Sequence, residues 1–166
     1  MKKEISRHAG AAKMIRQFMK ANGIAGSVIS KSYSMGSSIS VYVEDLPPAQ
    51  YQVLKDYVSQ FEYGHFDGMQ DLYEMSNCRD DIPQVKYAFV NNKISDELYQ
   101  DIWDFLKSYY SGMENAPADA KEAGSFYYSN GNQYGNNMIY RFFNGGYCQM
   151  AYWDKVNGVV QEPEVA

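Results

Sequence analysis

The first quarter of the chain carries the pattern that most constrains its fold: one amphipathic helix followed by two alternating strands. Over residues 6–22, apolar side chains recur every three to four positions and define one helix face, formed by Ala11, Met14, Ile15, Phe18 and Met19. Residues 27–33 and the alternation of Ile39, Val41 and Val43 then predict two strands. Between the strands, residues 34–37 (Ser-Met-Gly-Ser) have the composition of a tight turn, and the glycine accepts a positive φ. The strands should therefore form a hairpin.

The next segment adds two helices and one strand. Pro48 lies in the first turn of a helix predicted over residues 48–62, a position that tolerates proline. Residues 85–90 are rich in the branched and aromatic residues of a strand. A third helix is predicted over residues 96–110, with Ser95 as its N-cap. Residues 65–83 show no regular pattern, and residues 91–93 (Asn-Asn-Lys) are predicted to form a turn.

The C-terminal part has a different composition. Residues 111–124 are rich in small residues and contain Gly112 and Pro117, which indicates a linker. Residues 125–153 hold ten aromatic side chains, and Asn144-Gly145 between two aromatic runs predicts a β-hairpin within an extension over residues 125–155. Residues 156–166 are expected to form a flexible tail.

These elements predict an α+β fold: a small antiparallel sheet, about three helices packed on it and a C-terminal aromatic β-hairpin. The 166 residues suffice for one such domain, expected over residues 1–110 and followed by the linker, the hairpin extension and the tail. No apolar run approaches the length of a membrane span, and no apolar signal segment follows the first four residues. Two cysteines, Cys78 and Cys148, do not make a disulfide framework, so a cytoplasmic location is expected.

Charge is distributed unevenly along the chain. Residues 1–31 hold seven Lys or Arg and one acid, a net +6, whereas residues 32–166 have a net charge of −11. The basic part suits a phosphate backbone or an acidic protein surface. The acidic remainder disfavours wrapping of a long duplex.

Two motifs resemble a known family. Residues 30–41 (Ser-Lys-Ser-Tyr-Ser-Met-Gly-Ser-Ser-Ile-Ser-Val) are similar to the central motif of the large polyvalent-protein-associated domain LPD29. The downstream motif at residues 66–71 (Phe-Asp-Gly-Met-Gln-Asp) and the preceding helix are similar to the same family. The resemblance covers residues 6–92, with Met35 and Val43 where family members commonly carry Gly and Trp.

The resemblance implies a context rather than a reaction. LPD29 domains occur in polyvalent proteins of phages and conjugative elements, and as small stand-alone proteins. It therefore implies an accessory factor of a mobile element, a class often delivered with DNA or active early against host defences. No established reaction is attached to this family.

Catalytic chemistry has weak support in the sequence. Cys78 with His65 or His8, and Asp80 or Asp81 as orienting group, matches no nucleophile signature. A metal-dependent enzyme centred on His65, Asp67 and Asp71 is one alternative, since one nitrogen and two carboxylates can bind a cation. The opposing interpretation is that both aspartates cap local turns or a short helix. The serine-rich turn leads into a strand and matches no phosphate-binding fingerprint.

Nucleic-acid binding is a second alternative. Lys13, Arg16 and Lys20 recur at i, i+3 and i+7 and should form one exposed basic row on the first helix, with Lys31 and Tyr33 nearby. Aromatic residues such as Tyr134 or Tyr140 would add stacking on a single strand.

Protein binding is the favoured hypothesis, because the aromatic surplus suits an interface or a homodimer. We expect a non-catalytic mobile-element protein that blocks a host defence protein or ribonucleoprotein, of anti-CRISPR or antirestriction type, with no cofactor. The predicted partner-binding residues are drawn from both motifs, the basic row and the aromatic extension: Lys13, Arg16, Lys20, Tyr33, Ser34, Gly36, Ser37, Asp67, Asp71, Tyr140, Tyr147 and Trp153.

Overall fold

The computed structural model describes residues 6–144, and the chain divides after Lys93 into two compact units. Each unit has its own hydrophobic core. The mixture of helices and small sheets confirms the α+β class. The boundary lies earlier than predicted, because the third helix belongs to the core of the second unit. Among residues 6–144, no helix combines the length and the apolar run needed to cross a bilayer.

Over residues 6–93, the first unit contains these elements in chain order: α1 (Arg7–Ala21), β1 (Ser27–Tyr33), β2 (Gly36–Glu44), α2 (Pro48–Ser59), β3 (His65–Asp67), β4 (Leu72–Glu74) and β5 (Tyr87–Lys93). The first helix and the first hairpin agree closely with the sequence prediction. The predicted turn at residues 91–93 is wrong, since these residues continue β5. The Asn92 side chain accepts from the Leu46 N–H at 3.0 Å and donates to the Leu46 carbonyl at 2.9 Å, so its amide is satisfied within a strand.

Both helices of the first unit bury the stripe that their sequence spacing defines. In α1, Ala11, Ala12, Ile15 and Met19 are buried. The helix ends where the Asn22 side chain donates to the Phe18 carbonyl at 2.8 Å, just before Gly23 takes a positive φ. In α2, Leu54 and Val58 enter the same core.

The sheet of this unit has the order β1-β2-β5 and is mixed rather than wholly antiparallel. β1 and β2 form the predicted antiparallel hairpin, with Tyr33 opposite Gly36. β2 and β5 pair in parallel. A parallel partner requires the chain to return to the starting end of the sheet, and the segment containing α2 makes that crossover.

Only one side of this sheet is covered by the helices of its own unit. α1 contacts β1 and β2, and α2 contacts β5. The buried strand residues that meet these helices alternate along the chain: Val28, Ile39, Val41 and Val43. The residues between them therefore point to the opposite side of the sheet.

Over residues 94–144, the second unit contains α3 (Asp96–Tyr109), a 3-10 helix (Ala120–Ser125), β6 (Tyr127–Tyr128), β7 (Gln133–Tyr134) and α4 (Gly135–Phe143). Ser95 caps α3 as predicted, accepting from the Leu98 N–H at 3.1 Å. Trp103 is fully buried in this core, and its indole N–H donates to the Pro117 carbonyl at 2.8 Å.

Two sequence predictions fail in the second unit. Residues 111–124 are not a free linker, because Met113, Ala120 and Ala123 are buried in the core. The first arm of the predicted aromatic hairpin is the helix α4, whose buried Met138, Ile139 and Phe142 have helical spacing. The second arm, including Tyr147 and Trp153, and the predicted tail lie outside the described residues.

Candidate binding surface

The side of the sheet that faces away from α1 and α2 is the candidate binding surface, called the open face below. It is formed by alternate residues of all three strands: Ser27, Ile29, Lys31 and Tyr33 of β1, Ser38, Ser40, Tyr42 and Glu44 of β2, and Tyr87, Phe89, Asn91 and Lys93 of β5. Strand register arranges them in rows across the sheet. One row contains Ile29, Ser40 and Phe89, and the next contains Lys31, Ser38 and Tyr87. Small serines on the central strand thus lie between larger side chains.

Large apolar side chains of the open face are half exposed. The exposed fractions are 46% for Ile29, 44% for Tyr33, 46% for Tyr42 and 51% for Phe89. Single exposed apolar residues are ordinary on a protein surface, but several on one sheet face mark an interaction site. Because they stand on paired strands, little conformational entropy is lost when a partner covers them.

The turn motif and the β3–β4 hairpin, which contains the second motif, both contact Lys86 at one end of the open face. The Lys86 N–H donates to the Ser37 carbonyl at 3.0 Å, and a Cβ added at Gly36 would lie 3.0 Å from Lys86 Cδ. Gly36 has a φ of +153°, as its place in the turn allows. On the other side, the Tyr73 hydroxyl donates to the Lys86 carbonyl at 2.6 Å. The β3–β4 hairpin, within a segment predicted to be irregular, is thereby fixed to the start of β5.

A run of aromatic rings continues from that hairpin onto the open face. Tyr63 contacts Tyr73, and Tyr73 contacts Tyr87, each edge-to-face at 5.7 Å between ring centroids. Tyr87 and Phe89 lie side by side at 6.0 Å with an interplanar angle of 15°. The Lys86 ammonium is 5.0 Å from the Tyr73 centroid and 5.4 Å from the Tyr87 centroid, within cation–π range. Burial, and then the Glu62 charge, raise the pKa of Tyr73, so its hydroxyl stays a donor.

Side chains occupy the outer edge of β5. Glu62 Oε2 accepts from the Ala88 N–H at 2.9 Å, and the Tyr51 hydroxyl donates to the Val90 carbonyl at 3.4 Å. Burial raises the pKa of Glu62, while the Ala88 N–H and His65 act in the opposite direction. With this edge blocked to strand addition, the face of the sheet is the more accessible surface.

The other end of the open face forms a shallow cleft of about 480 Å³. Its polar lining comes from Ser27, Glu44, Asn91 and Lys93, and Tyr42 supplies a ring. Lys93 Nζ lies 3.7 Å from Glu44 Oε2, and both side chains are largely exposed. The cleft thus offers hydroxyl, amide and ammonium groups beside an aromatic ring.

The predicted basic row does not lie beside the open face. Lys13 and Lys20 are exposed on α1, but the Arg16 guanidinium donates to the Val28 carbonyl of β1 at 2.7 Å. Arg16 therefore ties the helix to the sheet edge. Because α1 covers the opposite side of the sheet, its exposed surface faces away from Lys31 and Tyr33. Lys13 and Lys20 therefore lie on a different surface of the first unit from Lys31 and Tyr33.

The proposed metal cluster is also not assembled. His65 Nδ1 lies 2.9 Å from Ser76 Oγ, and its Nε2 lies 3.6 Å from Glu74 Oε2. Asp67 accepts from the Met69 N–H at 2.8 Å, which closes the hairpin turn as the opposing interpretation expected. Asp71 takes a positive φ before β4 and does not start a helix. Within residues 6–144, no group of three His, Cys, Asp or Glu is arranged to hold a metal ion.

Other predicted residues divide between the open face and other parts of the chain. Tyr33 lies on the open face, and Ser34, Gly36 and Ser37 belong to the turn or strand at its end. Tyr140 lies on α4 of the second unit, against Tyr99, where burial and then Tyr140 raise the pKa of Tyr99. Cys78 is exposed, and its thiol lies 3.8 Å from the Tyr63 carbonyl.

Sequence reasoning missed the residues that dominate the open face. Tyr42, Lys86, Tyr87 and Phe89 were not among the predicted site residues. The alternation of β2 and β5 shows which residues share a side, and that signal was present in the sequence. Which side the helices leave uncovered depends on their packing, which the alternation does not reveal.

No family model, curated protein or solved structure matches this chain. Functional inference therefore rests on the open face, on the cluster around Lys86 and on the resemblance of the two motifs.

Proposed function

We propose that this is a non-catalytic mobile-element protein that blocks a host defence component, of anti-CRISPR or antirestriction type, by occupying one of its surfaces. The observation that carries the proposal is the open face, with Tyr33, Tyr42 and Phe89 half exposed on rigid strands. Rings presented in this way are the side chains that dominate binding energy in macromolecular interfaces. The action proceeds by occupancy, in the cytoplasm of a bacterial host.

The proximity of the two motifs supports the mobile-element context. The turn motif and the Phe-Asp-Gly-Met motif carry the resemblance to LPD29, and their segments meet around Lys86. A sequence relationship that concerns two distant segments gains weight when the folded chain brings those segments close together.

The contacts of Asp67 and Cys78 count against the catalytic alternatives drawn from the sequence. His65 is engaged by Ser76 and Glu74, and Asp67 by the backbone of its own turn. The Cys78 thiol contacts a main-chain carbonyl and not an imidazole. Among residues 6–144, the Cys78 thiol has no imidazole among its contacts and the proposed metal cluster is not formed, which favours binding over these two catalytic alternatives.

A phage-plating assay tests the proposal. Bacteria carrying a CRISPR or restriction system are challenged with a sensitive phage, with and without the protein, and efficiency of plating is measured. The protein should restore plating, and Tyr42→Ser with Phe89→Ser should abolish the restoration. Phe66→Ser is the matched control, because Phe66 is 54% exposed but lies on the β3–β4 hairpin. If the protein restores plating in none of the tested systems, the counter-defence proposal is rejected.

A further inference from the structure

We propose that the open face binds a single strand of nucleic acid, with bases stacked on its rings and phosphates held by its lysines. This inference rests on the proposed function, because it names the chemistry of the partner that the open face contacts. The single occupant is an unpaired strand, whose bases and phosphates the oligonucleotides used below present.

The geometry of the rings suits bases. Tyr87 and Phe89 are neighbours on one strand with nearly parallel ring planes, and Phe89 is half exposed. Tyr42, on the adjacent strand, presents a further half-exposed ring two residues from the row that contains Phe89. A base stacks on any available aromatic face, so rings distributed over neighbouring strands can hold successive bases of an extended strand.

The charge of the open face differs in sign from the charge of the chain. The face carries Lys31 and Lys93, has Lys86 at its end, and has Glu44 as its single carboxylate. The whole chain has a net charge of −5. A cationic surface on an acidic protein favours an anionic partner at that surface. These lysines lie at both ends of the group of rings, so they can contact phosphates while bases stack on the rings.

The polar side chains of the open face can form hydrogen bonds with the bases and sugars of a nucleic-acid strand. Ser38 and Ser40 lie between the outer strands, and their small side chains leave the flanking rings accessible. Ser27 and Asn91 supply a hydroxyl and an amide beside Tyr42 in the cleft. These groups can hydrogen-bond to base edges or to sugar hydroxyls.

A single strand fits this surface better than a duplex. Stacking on a protein ring requires an unstacked base, which a duplex provides only at a cost in unpairing. The basic row of α1, which would suit duplex phosphates, lies on the other side of the first unit. Its Arg16 is hydrogen-bonded to the Val28 carbonyl of β1. Open-face contacts therefore favour extended single strands.

Fluorescence anisotropy with labelled oligonucleotides tests the inference on the full chain. The probes are a 20-nucleotide oligo-dT, a 20-nucleotide oligo-U and a 20-base-pair duplex. Both single strands should bind more tightly than the duplex. Two to three phosphate contacts predict that log K against log salt has a slope of about −1.4 to −2.1, since each contact on a single strand contributes about −0.7.

Paired variants separate stacking and charge from general surface effects. Phe89→Leu keeps apolar area but removes the ring, and should weaken oligo-dT binding about tenfold, as expected for loss of one stacked base. Phe66→Leu is the ring control. Lys31→Gln should reduce the magnitude of the salt slope by about 0.7, whereas Lys20→Gln on α1 should leave the slope unchanged. Circular dichroism verifies that each variant is folded.

The outcomes distinguish this inference from the proposed function. Absence of single-strand binding, or duplex binding of equal strength, overturns the inference. If Phe89→Leu retains phage protection while Phe89→Ser loses it, and no oligonucleotide binds, the partner surface is apolar protein and the proposed function stands. If oligonucleotides bind but no defence system is blocked, the inference stands and the counter-defence proposal falls.

Discussion

The Tyr73 hydroxyl donates to the main-chain carbonyl of Lys86 at 2.6 Å, while the Lys86 ammonium lies 5.0 Å from the centre of the same tyrosine ring. The two residues thus contact each other twice, once through the backbone and once through a cation–π interaction. These contacts join the β3–β4 hairpin to the first residues of β5. They place the β3–β4 hairpin beside the turn motif at the end of the open face.

Tyr73→Phe removes the hydrogen bond and keeps the ring. The half-buried Lys86 carbonyl then loses a partner, so the free energy of unfolding should fall by about 1 kcal/mol. Urea denaturation followed by circular dichroism measures the change. Tyr33→Phe is the control, because the Tyr33 hydroxyl makes no hydrogen bond among residues 6–144 and should be worth less than about 0.5 kcal/mol. Equal losses in the two variants would contradict the assigned role of Tyr73.

Gly64 lies directly before β3 and allows the backbone there to come close to the end of β4. A Cβ at this position would overlap the Glu74 carbonyl oxygen and lie 2.6 Å from Tyr73 Cε1. Gly64→Ala should therefore cost about 2 kcal/mol or more, because backbone cannot shift as cheaply as a flexible side chain. Gly68→Ala, where the nearest atom is 4.0 Å from the added Cβ, should change stability by less than about 0.5 kcal/mol. Comparable urea midpoints for both variants would disprove the close contact.

Local sequence patterns predicted most of the first unit. The apolar spacing of α1, the alternation of β2 and the proline at the start of α2 each determine structure within a few residues, and the observed bounds agree with them. The parallel pairing of β2 with β5 was not predictable in this way. It depends on the crossover through α2, a contact between segments more than 40 residues apart.

The second unit shows where sequence patterns mislead. The run Ile139-Tyr140-Arg141-Phe142-Phe143 is aromatic and branched, which favours a strand, yet it also places Met138, Ile139 and Phe142 on one helical face. Packing of that face in the core selects the helix. The open face shows a related limit, since alternation identifies its residues but does not reveal that α1 and α2 both pack on the other side of the sheet.

The Arg16 guanidinium was predicted to be a free member of a basic row, and its bond to Val28 assigns it a structural role. Arg16→Met should lower the free energy of unfolding by about 1 kcal/mol, because a charge-assisted hydrogen bond is lost at a partly exposed position. Lys20→Met makes the same change of charge on an exposed position of α1 and should have an effect below about 0.5 kcal/mol. Thermal or urea unfolding measures the change in stability of both variants. Equal changes would contradict the structural role assigned to Arg16.

Glu62 should make stability depend on pH. Burial raises the pKa of its carboxyl above the ordinary 4.5, so the native state holds the proton to a higher pH than the unfolded state. Above pH 4.5 and up to the raised value, the native state binds more protons, and the contribution of Glu62 to the free energy of unfolding falls as pH rises. Glu62→Gln keeps an acceptor for the Ala88 N–H without this titration. The difference in stability, wild type minus Glu62→Gln, should decrease from pH 4 to pH 7; a flat or rising difference would contradict the burial.

A substitution at Met113 tests whether residues 111–124 belong to the core of the second unit or act as a linker. Its side chain is buried with Ala120 and Ala123 in the core of the second unit. Met113→Ala should therefore cost about 2–5 kcal/mol, through lost burial and the cavity left behind. Asn115→Ala, two residues away and exposed, should cost less than about 0.5 kcal/mol. Urea denaturation followed by circular dichroism measures both, and two small effects would show that residues 111–124 act as a linker after all.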